Sequence, residues 1–332
     1  MKKTFVLLFL LGCATVFAQK FTDINSKVAP FSRMGYGARG IGMGNSMSAV
    51  TEGNLVSYYN PASSVFQVGN SLQTGYSFLS LDRRLNFLNF TKCFQLGSKS
   101  DTVSEDAKYK QSAGISFGLI QSGTSNIDGR NSEGIHTEDL TVNEYQFFGS
   151  VSKRFSKKFA MGLSVKVYYS KLYDKMTSTG VGLDLGAIYK YNDDLAFSFM
   201  LADLNSKYKW DSSQLYGEDG ISTENILPVM KKIGVSYNIR SIKLLTTAEL
   251  EISNAESKVF RFGCEYNIYE NLYLRGGIDQ IDLQNSDRYP MPALGFSYTG
   301  MVGNIPIGVD YAFQVENYSS SSRHIVGLNI KF

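Results

Sequence analysis

Histidine is nearly missing from this chain: the 332 residues hold two, His136 and His324. Neither lies in a ligand spacing such as H-x-x-E-H, and the three cysteines form no C-x-x-C pair, so no zinc site is written in the sequence. No G-x-S-x-G elbow occurs. The run Gly40-Ile41-Gly42-Met43-Gly44 follows no predicted strand and has the wrong spacing for a phosphate loop. Carboxylates are plentiful, but pairs of them mean nothing without geometry. These absences remove the usual marks of an enzyme and call for no cofactor or metal. Proline is scarce at 6 residues and tryptophan is present once, as Trp210. After the first eighteen residues no apolar run approaches the ~20 needed for a membrane-spanning helix.

The beginning of the chain is different. Met1-Lys2-Lys3 precedes an apolar run from Thr4 to Leu11, and small residues lead to Val16-Phe17-Ala18 before Gln19. A charged start, a short apolar core and an A-x-A-like ending predict a signal peptide over residues 1–18, cleaved after Ala18. A competing reading takes Leu10-Leu11-Gly12-Cys13 as a lipoprotein box, which Leu11 fits poorly. Loss of Lys2 and Lys3 takes the basic count from 33 to 31 against 30 acids, which leaves no basic surface for nucleic acid. Cys93 and Cys264 then remain, in different predicted strands. They read as separate buried thiols, although export would permit a disulfide.

What the chain has in quantity is aromatic and glycine residues: 22 Phe, 21 Tyr and 31 Gly. They fall into segments of period two, the mark of strands. In one, Phe159, Met161, Leu163, Val165, Val167 and Tyr169 oppose Ala160, Gly162, Ser164, Lys166 and Tyr168. In another, Val181, Leu183, Leu185, Ala187 and Tyr189 oppose Gly182, Asp184 and Gly186. In a third, Ile305, Ile307, Val309, Tyr311 and Phe313 oppose Gly308, Asp310 and Ala312. About fourteen such strands are predicted. They begin near Ser71, Arg84, Ser112, Asn143, Lys158, Ser178, Asp194, Val229, Ser241, Ser257, Leu272, Pro292, Ile305 and Arg323.

The connections alternate in length. Residues 122–142, 203–228, 281–291 and 314–322 read as long polar loops. Ser156-Lys157, Asn192-Asp193 and Gly303-Asn304 read as tight turns. Transmembrane barrels of the bacterial outer membrane sort their loops in this way. Residues 81–83 and 94–111 break the alternation. The last strand carries Val326, Leu328, Ile330 and Phe332 on one face, and a terminal Phe resembles the assembly signal of outer-membrane barrels. The expected fold is an all-β transmembrane antiparallel barrel over residues 71–332, in the outer membrane of a Gram-negative bacterium and surrounded by its lipid.

Fourteen strands enclose more space than wall side chains fill. Residues 19–70 lack strand alternation and carry Gly35, Gly37, Gly40, Gly42 and Gly44. Asn60-Pro61-Ala62 reads as a helix start, with Asn as cap and Pro in the first turn. This stretch is expected to form a plug, or hatch, inside the barrel. The alternation turns Glu249, Glu251, Arg261, Glu265, Arg275 and Asp279 inward on three consecutive strands. They can form either a ligand surface or an ion network holding plug to wall, and the network is the plainer reading. Tyr208, Trp210 and Tyr216 in the 203–228 loop form a candidate partner-binding surface. Tyr208 and Trp210 could instead belong to an aromatic girdle at the membrane interface.

The stretch Gly37-Ala38-Arg39-Gly40-Ile41-Gly42-Met43-Gly44, then Ser48-Ala49-Val50, then Tyr58-Tyr59-Asn60-Pro61-Ala62, resembles the amino-terminal signature of the PorV/PorQ family. That family belongs to the FadL-like barrels. The resemblance implies fourteen strands with an amino-terminal hatch and a role as accessory or carrier in type IX protein secretion and surface attachment. Its implied partners are type IX components or secreted cargo proteins. The alternative within the same superfamily is a transporter of hydrophobic small molecules. An apolar pocket between hatch and wall would favour transport, and a lumen packed shut would favour a protein-binding platform.

Overall fold

A computed structural model describes residues 22–95, 112–173, 176–317 and 319–332. The expected signal peptide, Cys13 and most of the 94–111 connection lie outside the described residues. The strands are β1 Asn70–Phe78, β2 Arg83–Gln95, β3 Ser112–Arg130, β4 His136–Arg154, β5 Phe159–Tyr173, β6 Met176–Lys190, β7 Leu195–Leu204 and β8 Lys207–Asp211. They continue as β9 Ser222–Ile226, β10 Met230–Ile239, β11 Leu244–Ser253, β12 Lys258–Tyr269, β13 Leu272–Asp282, β14 Met291–Val302, β15 Ile305–Gln314 and β16 Arg323–Lys331.

Fourteen of them close an antiparallel barrel: β1 to β7, then β10 to β16, with β1 paired to β16 and β7 to β10. Closure leaves no free edge in the wall. The remaining pair, β8 and β9, forms a hairpin above β7 that joins the wall through Ser178↔Trp210 and Thr179↔Lys209 on β6. Residues 203–228 are thus not simply a loop. Residues 122–142 are also mostly strand, because β3 and β4 pair from Lys153 out to His136. Both faces of that extension are largely exposed, so nothing imposes an apolar alternation that the sequence could display.

Within the wall the alternation has a plain cause. Leu163, Val165, Val167, Val181, Leu183 and Leu185 are exposed, while Ser164, Lys166 and Asp184 between them are buried. An apolar outside and a polar inside suit a cylinder in lipid. Leu163→Arg should therefore lower barrel stability by about 2–4 kcal/mol if the residue sits near the bilayer midplane. Urea unfolding in lipid vesicles, read by heat-shifted gel migration, measures the loss. An unchanged midpoint would mean that this face does not meet hydrocarbon.

Residues 22–69 lie against the inward side of the wall. A short helix α1, Ala38–Gly42, packs on β13 to β16. A 3-10 helix at Pro61–Phe66 packs on β2 to β6 on the other side. Asn60 caps that helix, its Oδ1 accepting from the Ala62 N–H at 3.0 Å, and Pro61 occupies the first turn, where a missing N–H costs nothing. Between the two helices Tyr36, Tyr58 and Tyr59 form a buried aromatic cluster. Tyr36 and Tyr58 meet edge to face with ring centres 4.7 Å apart, and Phe87 of β2 stacks on Tyr36 at 5.8 Å. Offset and edge-to-face rings add about 0.5–1.5 kcal/mol per pair beyond the area they bury.

The inner segment approaches the wall at backbone distance where the wall carries glycine. Gly277 of β13 faces Gly44, and a Cβ on Gly277 would collide with Gly44 N and Met43 C. Gly44 has φ +58° and would bring its own Cβ to 2.7 Å from Ile278 N and Phe262 O. Only residues without a Cβ fit on both sides of this contact.

Candidate functional site: the filled lumen and its outer cavity

The inward charges of β11, β12 and β13 meet across the ladder. Register sets Glu249 opposite Arg261 and Glu265 opposite Arg275. Arg261 reaches Glu251 at 2.9 Å, Glu249 at 3.3 Å and Asp279 at 2.6 Å. A bulge in β13 around Gln280 (φ +56°) supplies one extra residue there and keeps Asp279 turned toward Arg261. Arg275 holds Glu265 at 2.7 Å. All six side chains are buried.

The inner segment joins this network. Arg39 grips Glu265 with two parallel hydrogen bonds of 2.8 and 2.7 Å, the fork geometry that suits guanidinium to carboxylate. Asn45 donates to Asp279 at 2.6 Å, and the Ser48 N–H donates to Glu249 at 3.2 Å. The arrangement ties segment to wall by charge, which matches the structural reading of these residues better than a free ligand surface. Of the other motif residues, Gly37 enters α1 with φ +72°. Gly40 lies against the Tyr59 ring, Gly42 lies close to Arg275, and Met43 is fully buried. Ala38 and Ala62 pack in separate small cores.

Several members escaped the sequence. Lys232 of β10 pairs with Glu251 at 3.1 Å, and Arg275 reaches Asp310 of β15 at 3.8 Å. A second buried cluster joins β5, β6 and β7. Lys166 contacts Asp184 at 2.8 Å and Asp203 at 3.0 Å, and the Tyr168 hydroxyl donates to Asp203. Asp203 sits at φ +61°, where β7 carries one more residue than β6. Lys166 and Asp184 show inward in the alternation. Their union with Asp203 depends on that irregular register.

The aromatic set proposed for partner binding does not share one surface. Tyr208 is 1% exposed, faces Tyr168 edge on, and belongs to the lumen core, with Trp210 packed beside it. Burial of an aromatic body outweighs display when a core lies within reach. Tyr216, 66% exposed, is the one that faces solvent. Phe332 stacks on Phe90 with ring centres 6.3 Å apart, and its backbone bonds with Asn70 beside the barrel closure. Cys93 and Cys264 are free thiols.

A cavity of about 250 Å³ lies at the end of the barrel opposite Phe332. It lies between residues 24–34 of the inner segment and the ends of β10 to β16 on that side. Its lining mixes Met34, Met230 and Met291 with charged side chains of both signs. Among the described residues no group of His, Cys, Asp and Glu could hold a metal ion.

With this geometry in place, the chain is similar in fold to several solved proteins. It matches the Pseudomonas putida toluene transporter TodX at 16% identity and a TM-score of 0.56, over 89% of this chain and 96% of that one. The Ralstonia pickettii toluene transporter TbuX matches at 14% identity and 0.52, over 90% and 98%. A Pseudomonas aeruginosa FadL homologue matches at 12% identity and 0.54, over 89% and 97%. Neither a known protein family nor a curated protein matches the chain. The closed fourteen-stranded barrel thus shares the fold of these proteins, and at these identities the likeness is one of fold alone.

Proposed function

We propose that the protein resides in the outer membrane, is closed along its axis, and works at its outer end by holding another protein, without catalysis. The observation that carries this reading is the filled lumen. Residues 22–69 are braced to the wall by Arg39–Glu265 and Asn45–Asp279. The cavity of about 250 Å³ at the end of the barrel is lined with charge, a poor berth for an apolar solute. The ordered extensions β3–β4 and β8–β9 supply surface instead, and Tyr216, Ile221 and Ile226 display apolar groups on the second. The resemblance of residues 37–44 and 58–62 to the PorV/PorQ signature suggests the partner class: components or cargo of type IX secretion.

A second reading is gated uptake of a small molecule. The fold shared with the toluene transporters TodX and TbuX favours it.

The test targets the connection from β8 to β9. Replacing residues 213–221 with a Gly-Ser linker keeps Tyr208 in the core. Heat-shifted migration should stay normal, while crosslinking in intact cells should recover less of a partner protein. Recovery of the same proteins at the same yield would remove this hairpin as the platform. A gene deletion that spares surface proteins but slows uptake of a hydrophobic nutrient would put the transporter in its place.

A further inference from the structure

The closed wall has no free edge, but the hairpin above it has one. β9 is the last strand of the sheet, with β8 on one side and no strand on the other. Its pairing with β8 is regular from Lys207↔Ile226 to Asp211↔Ser222. The ladder continues past both ends, through Leu227 N to Ser206 O at 2.9 Å and Ser212 N to Ile221 O at 3.1 Å. In an antiparallel ladder, hydrogen-bonded and non-bonded pairs alternate. Counted inward from those two bonds, Thr223 and Asn225 turn their backbone groups to β8, and Ser222, Glu224 and Ile226 turn theirs away. The outward N–H and C=O groups of these residues have no partner among the described residues. All three residues are exposed.

An unpaired edge is a template for another strand, and proteins blunt the edges they do not use with bulges, charges or proline. The free edges of β3 and β4 beyond β2 and β5 are blunted in this way. Their pairing shifts register at Thr124/Ile127 and at Gly129/Arg130, Asn126 sits at φ +57°, and Asp128, Arg130, Glu138 and Asp139 are exposed. β9 has no bulge and no proline, and Ile221 and Ile226 stand exposed at its two ends. Its single charge, Glu224, meets Lys207 at 2.7 Å and Lys209 at 3.3 Å. Asp211, Glu218 and Asp219 on the same hairpin are exposed and form no salt bridge among the described residues. The surface beside the edge is therefore acidic, and it favours a cationic occupant. A second copy is a poor occupant. Two β9 edges paired antiparallel over their full length would set Glu224 against Glu224, and like charges directly opposite destabilise a ladder.

We propose that β9 is a docking edge whose occupant is an extended, basic segment of a partner protein, added to the sheet as an antiparallel strand. Main-chain bonds to Ser222, Glu224 and Ile226 hold it, and its alternate side chains give the selection. The fitting segment carries Lys or Arg facing Glu224 and a branched apolar residue facing Ile226. This docking rests on the reading that the outer end holds a protein, and it adds how the partner is held and what its sequence carries.

The probe is a synthetic peptide blocked at both ends, Thr-Thr-Val-Thr-Lys-Thr-Val-Thr-Thr, titrated into the full chain in detergent. Amide hydrogen exchange reads its addition. Exchange should slow at Ser222, Glu224 and Ile226, while Ser212 and Leu227, whose N–H groups bond within the hairpin, report that the hairpin itself is intact. The same peptide N-methylated at its lysine and both valines keeps its side chains but loses the donors that face β9. It should bind at least about tenfold more weakly. Glutamate in place of the peptide's lysine should weaken binding about three- to tenfold, and Glu224→Lys should reverse that preference. The proposal is overturned if the peptide gives no protection at about 1 mM. It is equally overturned if the methylated form protects as well, or if the lysine and glutamate peptides bind the wild type alike. Partner capture that depends on residues 213–221, with no peptide added at β9, would remove the edge and leave the protein-binding reading standing. Peptide addition with no partner captured in cells would uphold the edge and remove that reading.

Discussion

A barrel carrying Arg261→Met should unfold at clearly lower urea, with about 3–5 kcal/mol of stability lost. Arg261 is the cation shared by Glu249, Glu251 and Asp279. Methionine fills similar space but leaves Glu251 and Glu249 with Lys232 alone, at 3.1 and 3.9 Å, and Asp279 with no cation, only the Asn45 amide. A buried ion pair adds little net stability over an apolar pair, because desolvation opposes attraction. Removing one partner is another matter, since the desolvation cost stays while the attraction goes. The double variant Arg261→Met with Asp279→Leu removes one charge of each sign, and it should recover part of the loss. The measurement is a urea midpoint in lipid vesicles. A shift below about 1 kcal/mol for the single variant would mean that water reaches these carboxylates and the lumen is not tightly filled.

Gly277→Val has a different target and a comparably large effect. Its side chain would enter the backbone of Met43 and Gly44. The wall at this point is a hydrogen-bonded ladder, with Gly277 paired to Gly263 on β12 and Ala293 on β14. It cannot retreat without breaking pairs on both sides. The inner segment must move instead, and Arg39 and Asn45 would then lose their carboxylate partners. Protease should cut the amino-terminal segment of the variant in folded barrels and leave it intact in the wild type. The stability loss should exceed the 1–3 kcal/mol typical of overpacking a core. Wild-type resistance in the variant would show that the segment is not held against β12 and β13.

The strands were legible because an apolar outer face and a packed, polar inner face impose period two on them. The expected starts at Ser112, Leu272, Ile305 and Arg323 coincide with the observed ones. Where that asymmetry ends, so does legibility. The outer parts of β3 and β4 are mostly exposed on both faces and carry no alternation. The hairpin β8–β9 is too short to show a period. The inward charges of β11 to β13 could be read because neighbouring strands in regular register place them opposite each other. The Lys166–Asp184–Asp203 cluster could not, because a bulge shifts the pairing. The direction of Tyr208 was set by a core whose inner half comes from residues far away in sequence. The glycines of the wall were visible as residues, but their role needed the inner segment's path.

The central claim is that residues 22–69 close the barrel along its axis. Conductance of the purified protein in planar bilayers tests it most directly. The intact chain should be nearly closed. A chain lacking residues 22–69, with residues 1–21 kept, should open a steady conductance through a lumen of fourteen strands. A large steady conductance from the intact protein would contradict the account.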